Sequence, residues 1–238
     1  MSLKDLKIKI YADGADLDGM IKMSKQPFIK GLTTNPTLMK KAGLTDYKAF
    51  AKQVLDNIKD LPLSFEVFTD DFASMELEAR EIASWGSNVY VKIPVTNTKG
   101  ESSVPLIEKL SNDGIKLNVT AIMTLKQVDQ VVVALKDGTP SIVSVFAGRI
   151  ADTGVDPIQL MIDSLVICKN KKGCELLWAS TREMLNIFQA AEIGCDIITV
   201  TNDILKKESM ISMDLEKLSL ETVQMFSNDA ISAGFTII

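Results

Sequence analysis

The stretch Val89-Tyr-Val-Lys-Ile-Pro-Val95 decides the fold of this chain. Valine and isoleucine alternate in it with Tyr90, Lys92 and Pro94, which is the two-residue period of a β-strand. Segments with helical spacing lie on both sides of it, and this alternation is typical of a parallel sheet covered by helices. Because neither face of such a sheet is normally wet, we predict that Lys92 points into the interior of a barrel.

Seven further runs rich in β-branched residues extend the pattern along the chain. With the first stretch, the predicted strands are Lys7–Ala12, Ile29–Thr33, Leu63–Phe68, Val89–Val95, Lys116–Ile122, Ser141–Phe146, Glu175–Ala179 and Asp196–Val200. Eight strand–helix units in this length give about 30 residues per unit, the size of a βα repeat. We predict a single (β/α)8 TIM-barrel domain over 1–238, with 203–238 as a C-terminal helical extension. An open doubly wound sheet is the alternative, and it lacks the support of a G-x-G-x-x-G fingerprint.

The helical segments carry recognisable start signals. Thr124 with Gln127, and Ser180 with Glu183, have the spacing of a capping box. Asp156-Pro157 has the pattern of an N-cap followed by proline at the first helical position.

Composition excludes several classes of protein and of site. The chain has 26 basic and 31 acidic residues, a net charge of −5 and no histidine. Histidine-based triads and histidine-ligated metal sites are therefore excluded. Without a basic excess we expect no nucleic-acid partner. Without a long apolar run or a signal-peptide pattern we expect no membrane partner and a cytoplasmic location.

Polar side chains stand at or just beyond the C-terminal end of every predicted strand, where catalytic groups of a barrel lie. Each one alone has an ordinary explanation as a turn residue, a helix cap or a surface charge. The set is Asp13, Thr33, Thr34, Asn35, Glu66, Lys92, Asn118, Thr120, Ser144, Arg149, Ser180, Arg182, Thr201 and Asn202.

Lys92 is the member that a surface role explains least well. Inside a barrel its ammonium would be desolvated, and desolvation favours the neutral amine. A neutral, oriented amine attacks carbonyls and forms Schiff bases. Glu66 lies on the neighbouring strand and Asp13 lies two strands further round, so both can relay protons. Lysine with two carboxylates is the coherent catalytic set in a chain without histidine.

Arg149, Ser180 and Arg182 form a second cluster, after the sixth and seventh strands. Barrels commonly bind phosphate groups near this position, and arginine holds phosphate bidentately. The alternative is that both arginines pair with surface carboxylates. Their placement after adjacent strands favours a shared anion site.

Five motifs resemble the transaldolase family and follow one another in order along the predicted strands. They are Gly31-Leu-Thr-Thr-Asn-Pro-Thr37, Val91-Lys-Ile-Pro-Val-Thr96, Leu117-Asn-Val-Thr120, Ser144-Val-Phe-Ala-Gly-Arg-Ile150 and Trp178-Ala-Ser-Thr-Arg182. The resemblance covers nearly the whole chain, from about Ile8 to Asn202.

The resemblance implies a cofactor-free barrel that transfers a dihydroxyacetone unit between sugar phosphates of the pentose phosphate pathway. It implies Lys92 as the Schiff-base lysine, Asp13 as the base for carbon–carbon cleavage, and Glu66 and Thr120 as proton carriers through a water. Substrate hydroxyls would be held by Asn35, Asn118 and Ser144, with Thr34 and Phe146 beside them. The phosphate would be held by Arg149, Ser180 and Arg182.

The family resembled here divides into transferases and fructose 6-phosphate aldolases that release free dihydroxyacetone. The aldolases carry glutamine in place of Glu66 and tyrosine in place of Phe146, so this chain looks like a transferase. An aldolase and a sugar-phosphate-binding barrel without turnover stay as alternatives. Gly14 replaces the usual threonine or serine after the first-strand aspartate, which leaves the orientation of Asp13 open. Similar small members form homo-oligomers, and a pentamer or decamer is implied. The helix predicted at Leu215–Ala230 would pack on a neighbour or, as the alternative, cap its own barrel.

Overall fold

The computed structural model describes residues 2–237. Its eight strands are β1 (Lys9–Asp13), β2 (Ile29–Thr33), β3 (Leu63–Glu66), β4 (Val89–Pro94), β5 (Leu117–Ile122), β6 (Ser141–Val145), β7 (Cys174–Trp178) and β8 (Ile197–Thr201). They close into a barrel in sequence order, with every pair parallel and β8 bonded back to β1. The predicted TIM barrel is therefore confirmed, and an open sheet is excluded. Residues 1 and 238, the ends of the predicted domain and of its extension, lie outside the described part.

Helices follow the strands and cover the outside of the barrel. They are α1 (Leu17–Ser24), α2 (Pro36–Lys41), α3 (Tyr47–Asn57), α4 (Phe72–Ser84), α5 (Val104–Asn112), α6 (Leu125–Ala134), α7 (Ala147–Asp152), α8 (Ile158–Lys169), α9 (Leu185–Glu192), α10 (Asn202–Leu205) and α11 (Leu215–Ser232). Short 3₁₀ turns occur at Leu3–Asp5 and Lys206–Met210. Within residues 2–237, no helix combines the length and the apolar character needed to cross a bilayer.

Alternation along the strands separates the helix-facing core from the barrel interior. On β4, Val91 and Ile93 are fully buried on the outer face, beneath the helices. Tyr90 and Lys92 lie on the inner face, as the two-residue period requires. Interior side chains in the lower half of the barrel include Tyr11, Ile142 and Ile197. Lys9 and Glu175 form an ion pair at the N-terminal rim. The predicted site residues lie at the opposite, C-terminal mouth.

Local start signals are confirmed in one case, wrong in the second and displaced by one residue in the third. Thr124 and Gln127 form the predicted capping box at the start of α6. Ser180 caps no helix, because α9 begins only at Leu185 and Ser180 itself has a left-handed backbone with φ 61°. Pro157, rather than Asp156, is the residue before α8, although Asp156 Oδ1 still accepts from Ile158 N–H at 3.0 Å.

Candidate active site

A cavity of about 450 Å³ opens at the C-terminal end of the barrel. Every strand end or the loop after it contributes to its wall. The predicted site residues among its lining are Asp13, Asn35, Glu66, Lys92, Asn118, Thr120, Ser144, Phe146, Arg149, Ser180 and Arg182. The strand-end residues Thr33 and Thr201 line it as well, whereas Thr34 and Asn202 do not.

Lys92 stands on the floor of this cavity and is 8% exposed. Its Nζ lies 2.8 Å from Glu66 Oε2, and it also donates to the backbone carbonyl of Thr34. The pairing of Glu66 with Lys92 in the β3–β4 register sets them side by side on the inner face. The amine therefore has a proton acceptor in direct contact and faces the open part of the cavity.

Glu66 is held in an environment that disfavours its charge. Burial raises its pKa to about 7, although the nearby Lys92 ammonium acts in the opposite direction. Oε1, its second carboxylate oxygen, has no hydrogen-bond partner among residues 2–237. A carboxyl group with a pKa near neutrality can both accept and return a proton, as general acid–base catalysis requires.

Asp13 ends β1 and is oriented by two residues of the neighbouring strand end. Thr33 Oγ1 donates to Asp13 Oδ1 at 2.8 Å, and Asn35 Nδ2 donates to Oδ2 at 2.9 Å. Burial raises the pKa of Asp13, and the Lys92 charge with these two hydrogen bonds lowers it in part. The carboxylate is thus fixed without a hydroxyl at Gly14, where an added Cβ would meet only ordinary contacts at 3.7 and 3.9 Å.

Asn118 and Ser144 form a buried hydrogen-bond chain across the inner face. Ser144 Oγ donates to Asn118 Oδ1 at 2.6 Å, and Asn118 Nδ2 donates to Ser64 Oγ at 3.0 Å. These two hydrogen bonds orient the Asn118 amide, with its oxygen towards Ser144 and its nitrogen towards Ser64. Thr120 follows on the same strand, beside a register shift and the left-handed Ala121 (φ 62°). Such irregularities often re-aim a side chain next to a site.

The two arginines take different positions at the rim. Arg182 Nε donates to Asp152 Oδ1 at 2.9 Å, and its Nη2 contacts Oδ2. This bidentate pair is the surface ion pair that stood as the alternative to anion binding. The Arg149 guanidinium carbon lies 6.0 Å from the centre of the Phe146 ring, within the range of a cation–π contact. Both arginines still line the cavity together with Ser180.

Gly148 holds the Ser180 loop against the start of α7. A Cβ at this position would lie 1.6 Å from the Ser180 carbonyl oxygen, which no side chain can occupy. The loop approaches this closely because Gly148 N–H donates to the Ala179 carbonyl at 3.3 Å. The backbone of α7 therefore fixes the position of Ser180.

Replacing Gly148 with alanine should displace Ser180 and destabilise the fold by about 1–3 kcal/mol, since overpacking forces a backbone shift. We expect a lower melting temperature and weaker binding of inorganic phosphate beside Ser180. Gly14→Ala is the matched control and should change both much less, because its Cβ meets only normal contacts. Equal melting temperatures for the two variants would contradict this account of the loop.

Several supporting residues were not singled out by sequence reasoning. Thr199 Oγ1 lies 2.6 Å from Thr33 Oγ1, and Thr181 Oγ1 donates to the Thr199 carbonyl at 2.8 Å. The two-residue period along β8 places Thr199 on the same face as Thr201. A threonine within an otherwise apolar strand could therefore have indicated that Thr199 faces the site. Thr34, by contrast, was predicted to lie beside the substrate; it is 1% exposed, and its hydroxyl donates to the Ser64 carbonyl at 3.0 Å. No pattern in the sequence pointed to Tyr47, whose hydroxyl accepts from Glu66 N–H.

A lysine–carboxylate pair and a second carboxylate lie together at the C-terminal mouth of a closed eight-stranded barrel. The family model described as Transaldolase/Fructose-6-phosphate aldolase matches residues 10–237. The chain belongs to this family.

Curated relatives agree with the family assignment. A probable transaldolase of Dehalococcoides mccartyi is 36% identical over 83% of this chain and 88% of that protein. One from Thermoanaerobacter sp. is 33% identical over 97% of this chain and 100% of that protein. A probable transaldolase of Nitrosopumilus maritimus is 33% identical over 90% of this chain and 92% of that protein.

Among solved structures, a dihydrodipicolinate synthase from Rhodopseudomonas palustris superposes with a TM-score of 0.55 at 14% identity. The match covers 93% of this chain and 80% of that one. At this identity the likeness concerns the barrel fold alone.

Proposed function

We propose that this protein is a transaldolase. It transfers a dihydroxyacetone unit from a ketose phosphate, sedoheptulose 7-phosphate or fructose 6-phosphate, to an aldose phosphate in the pentose phosphate pathway. A Schiff base on Lys92 carries the unit. The observation that carries the proposal is the buried pair of Lys92 and Glu66, at 2.8 Å, on the floor of the cavity. Since the proposed substrates are intermediates of central sugar metabolism, we propose a cytoplasmic location.

The first half-reaction forms the Schiff base. Glu66 takes a proton from the Lys92 ammonium, and the free amine attacks the C2 carbonyl of the ketose. The resulting carbinolamine loses its hydroxyl as water when Glu66 returns the proton, with Thr120 assisting through a bound water. The pKa of Glu66 near 7 supports this two-way role. The product is an iminium ion, which withdraws electrons from the adjacent C3–C4 bond.

Asp13 then drives carbon–carbon cleavage. Its carboxylate takes the proton of the C4 hydroxyl, the C3–C4 bond breaks, and the electron pair moves into the iminium to give an enamine on Lys92. The aldose phosphate leaves, and an acceptor aldehyde reacts by the reverse steps. The bonds from Thr33 and Asn35 support this role, because they hold the carboxylate without using all its acceptor sites.

Substrate contacts are proposed for the rest of the lining. Asn35, Asn118 and Ser144 hold hydroxyl groups, and Arg149, Ser180 and Arg182 hold the phosphate. Asp152 shares Arg182 with the incoming anion. Thr34 acts through its carbonyl on Lys92 rather than on the sugar, because its hydroxyl is already bonded to Ser64.

Transfer, rather than release of free dihydroxyacetone, is the proposed outcome. Phe146 lines the cavity and has no hydroxyl with which to protonate the enamine. The experiment incubates the enzyme with fructose 6-phosphate, with and without an aldose phosphate acceptor, and measures both products. Transfer should be at least about tenfold faster than release of free dihydroxyacetone, because release requires a proton donor for the enamine and Phe146 supplies none. Equal rates of transfer and release would favour the aldolase. No product from fructose 6-phosphate, with or without the acceptor, would favour a binding barrel.

The pH dependence of kcat/KM should show the ionisation of Glu66. Below its pKa of about 7 Glu66 holds a proton and cannot accept one from Lys92, so kcat/KM should fall about tenfold per pH unit. In Glu66→Gln, kcat/KM should drop by about 10²-fold or more, and its fall at acidic pH (the acidic limb of the pH profile) should disappear. Glu78→Gln, outside the cavity, is the control. A Glu66→Gln enzyme that keeps the same limb would contradict the assignment.

The helix α11 supports the proposal that the protein is a homo-oligomer. None of its residues is buried, yet Leu220, Val223 and Phe226 recur every third residue and are each more than half exposed. A contiguous apolar face of this kind marks an interaction site. We propose that α11 packs on a second copy of the chain.

Charged substitutions on this face should dissociate the oligomer. Val223→Asp combined with Phe226→Asp buries two charges in the proposed interface, so sedimentation velocity should show a shift to the monomer mass at about micromolar concentration. Asn228→Asp, on another side of the helix, adds a similar charge and should leave the assembly intact. A wild-type protein that sediments as a monomer would contradict the proposal.

A further inference from the structure

The β2–β3 ladder is interrupted beside the Lys92 amine. Its last backbone bond runs from Thr34 N–H to the Ser64 carbonyl, at 3.3 Å. In a parallel ladder the next bond would join Glu66 N–H to the Thr34 carbonyl. Instead, Glu66 N–H donates to the Tyr47 hydroxyl at 2.8 Å, and the Thr34 carbonyl accepts from Lys92 Nζ.

Tyr47 occupies this position because its ring is fixed from several sides. It is the first residue of α3, and its ring meets those of Phe68, Trp85 and Phe65 edge-on, with centroid distances of 4.7, 5.9 and 6.1 Å. The hydroxyl also faces the Thr34 side chain, and burial raises the pKa of the phenol, which stays protonated. A fixed phenol can therefore take the place of a backbone acceptor.

We propose that Tyr47 is a positioning residue for Lys92, and this rests on the proposed function. By accepting from Glu66 N–H, the hydroxyl keeps the Thr34 carbonyl available to the lysine. The same contact fixes the backbone of Glu66, whose carboxylate is the other partner of the amine. One phenol thus supports both groups that aim Lys92 into the cavity. Without the hydroxyl, Glu66 N–H closes the ladder onto Thr34 and competes with the lysine for that carbonyl.

The test is Tyr47→Phe, which keeps the ring and its three aromatic contacts. With Lys92 less well aimed, kcat should fall about 10- to 100-fold, whereas KM should change less than about twofold because no sugar contact is removed. A second readout uses no sugar: acylation of Lys92 by acetic anhydride at fixed pH, measured by peptide mass spectrometry. Because the amine is less well aimed into the cavity, this rate should fall roughly tenfold.

Tyr90→Phe is the matched control, since it removes the hydroxyl of another tyrosine on the inner face, away from the cavity lining. It should leave kcat and acylation unchanged. If Tyr47→Phe folds poorly, 4-fluorophenylalanine at position 47 fills the same volume with a poor acceptor and should give the same two effects.

The outcomes separate this inference from the proposed function. A lower melting temperature with unchanged kcat and unchanged acylation would give Tyr47 a structural role only and overturn the inference. A wild-type enzyme without transfer activity would overturn the proposed function. Even then, an acylation rate that differs between wild type and Tyr47→Phe would support the positioning role, and equal rates would overturn it.

Discussion

Replacing Lys92 with methionine should lower dihydroxyacetone transfer by at least about a thousandfold, because the covalent route is lost altogether. The variant should still fold. Methionine has similar length and suits a buried position, and Glu66 without its partner can remain protonated, since burial already raises its pKa to about 7. The measurement is the transfer assay, with circular dichroism to verify the fold.

Lys116→Met is the control for this variant. Lys116 lies outside the cavity lining, donates to the Ser87 carbonyl at 2.6 Å and stands 5.7 Å from the centre of the Tyr90 ring. Its loss should leave transfer within about twofold of wild type, as surface changes usually do. A folded Lys92→Met enzyme that kept a tenth of the activity would contradict the role of Lys92.

Replacing Asp13 with alanine should stop the reaction one step later. The Schiff base should still form, but cleavage should slow by about 10²- to 10⁴-fold, the usual contribution of a general base. Borohydride should therefore trap the intact ketose phosphate on the enzyme, whereas the wild type should also yield the dihydroxyacetone fragment. Mass spectrometry distinguishes the two adducts directly.

Asp18→Ala is the control for Asp13→Ala, because Asp18 is exposed on α1 and lies outside the cavity lining. It should give the wild-type adducts. An Asp13→Ala enzyme that yields the dihydroxyacetone adduct at the wild-type rate would assign cleavage to another group.

The barrel could be predicted from the sequence because its pattern is repeated eight times. Strand positions were correct, and the errors lie at the ends. The third strand stops at Glu66 rather than at Phe68, which is half exposed beyond the barrel. The first extends to Asp13, because pairing with both β2 and β8 continues to that residue. Closure of the barrel adds pairing that local pattern does not contain.

The candidate site could be predicted where residues sit on strands, and less well where loops meet. Lys92 and Glu66 face inward by alternation alone. The pairing of Arg182 with Asp152 and the contact of Ser180 with Gly148 depend on how two successive loops pack. The Tyr47 hydroxyl reaches Glu66 across 19 residues of chain, through an aromatic cluster whose geometry only the fold defines.

The most direct test of the account is borohydride trapping of the wild-type enzyme with fructose 6-phosphate, followed by peptide mass spectrometry. The account predicts a dihydroxyacetone-sized adduct on the peptide that contains Lys92, and no adduct on any other lysine. An adduct confined to another lysine, or none with fructose 6-phosphate and sedoheptulose 7-phosphate, would contradict it.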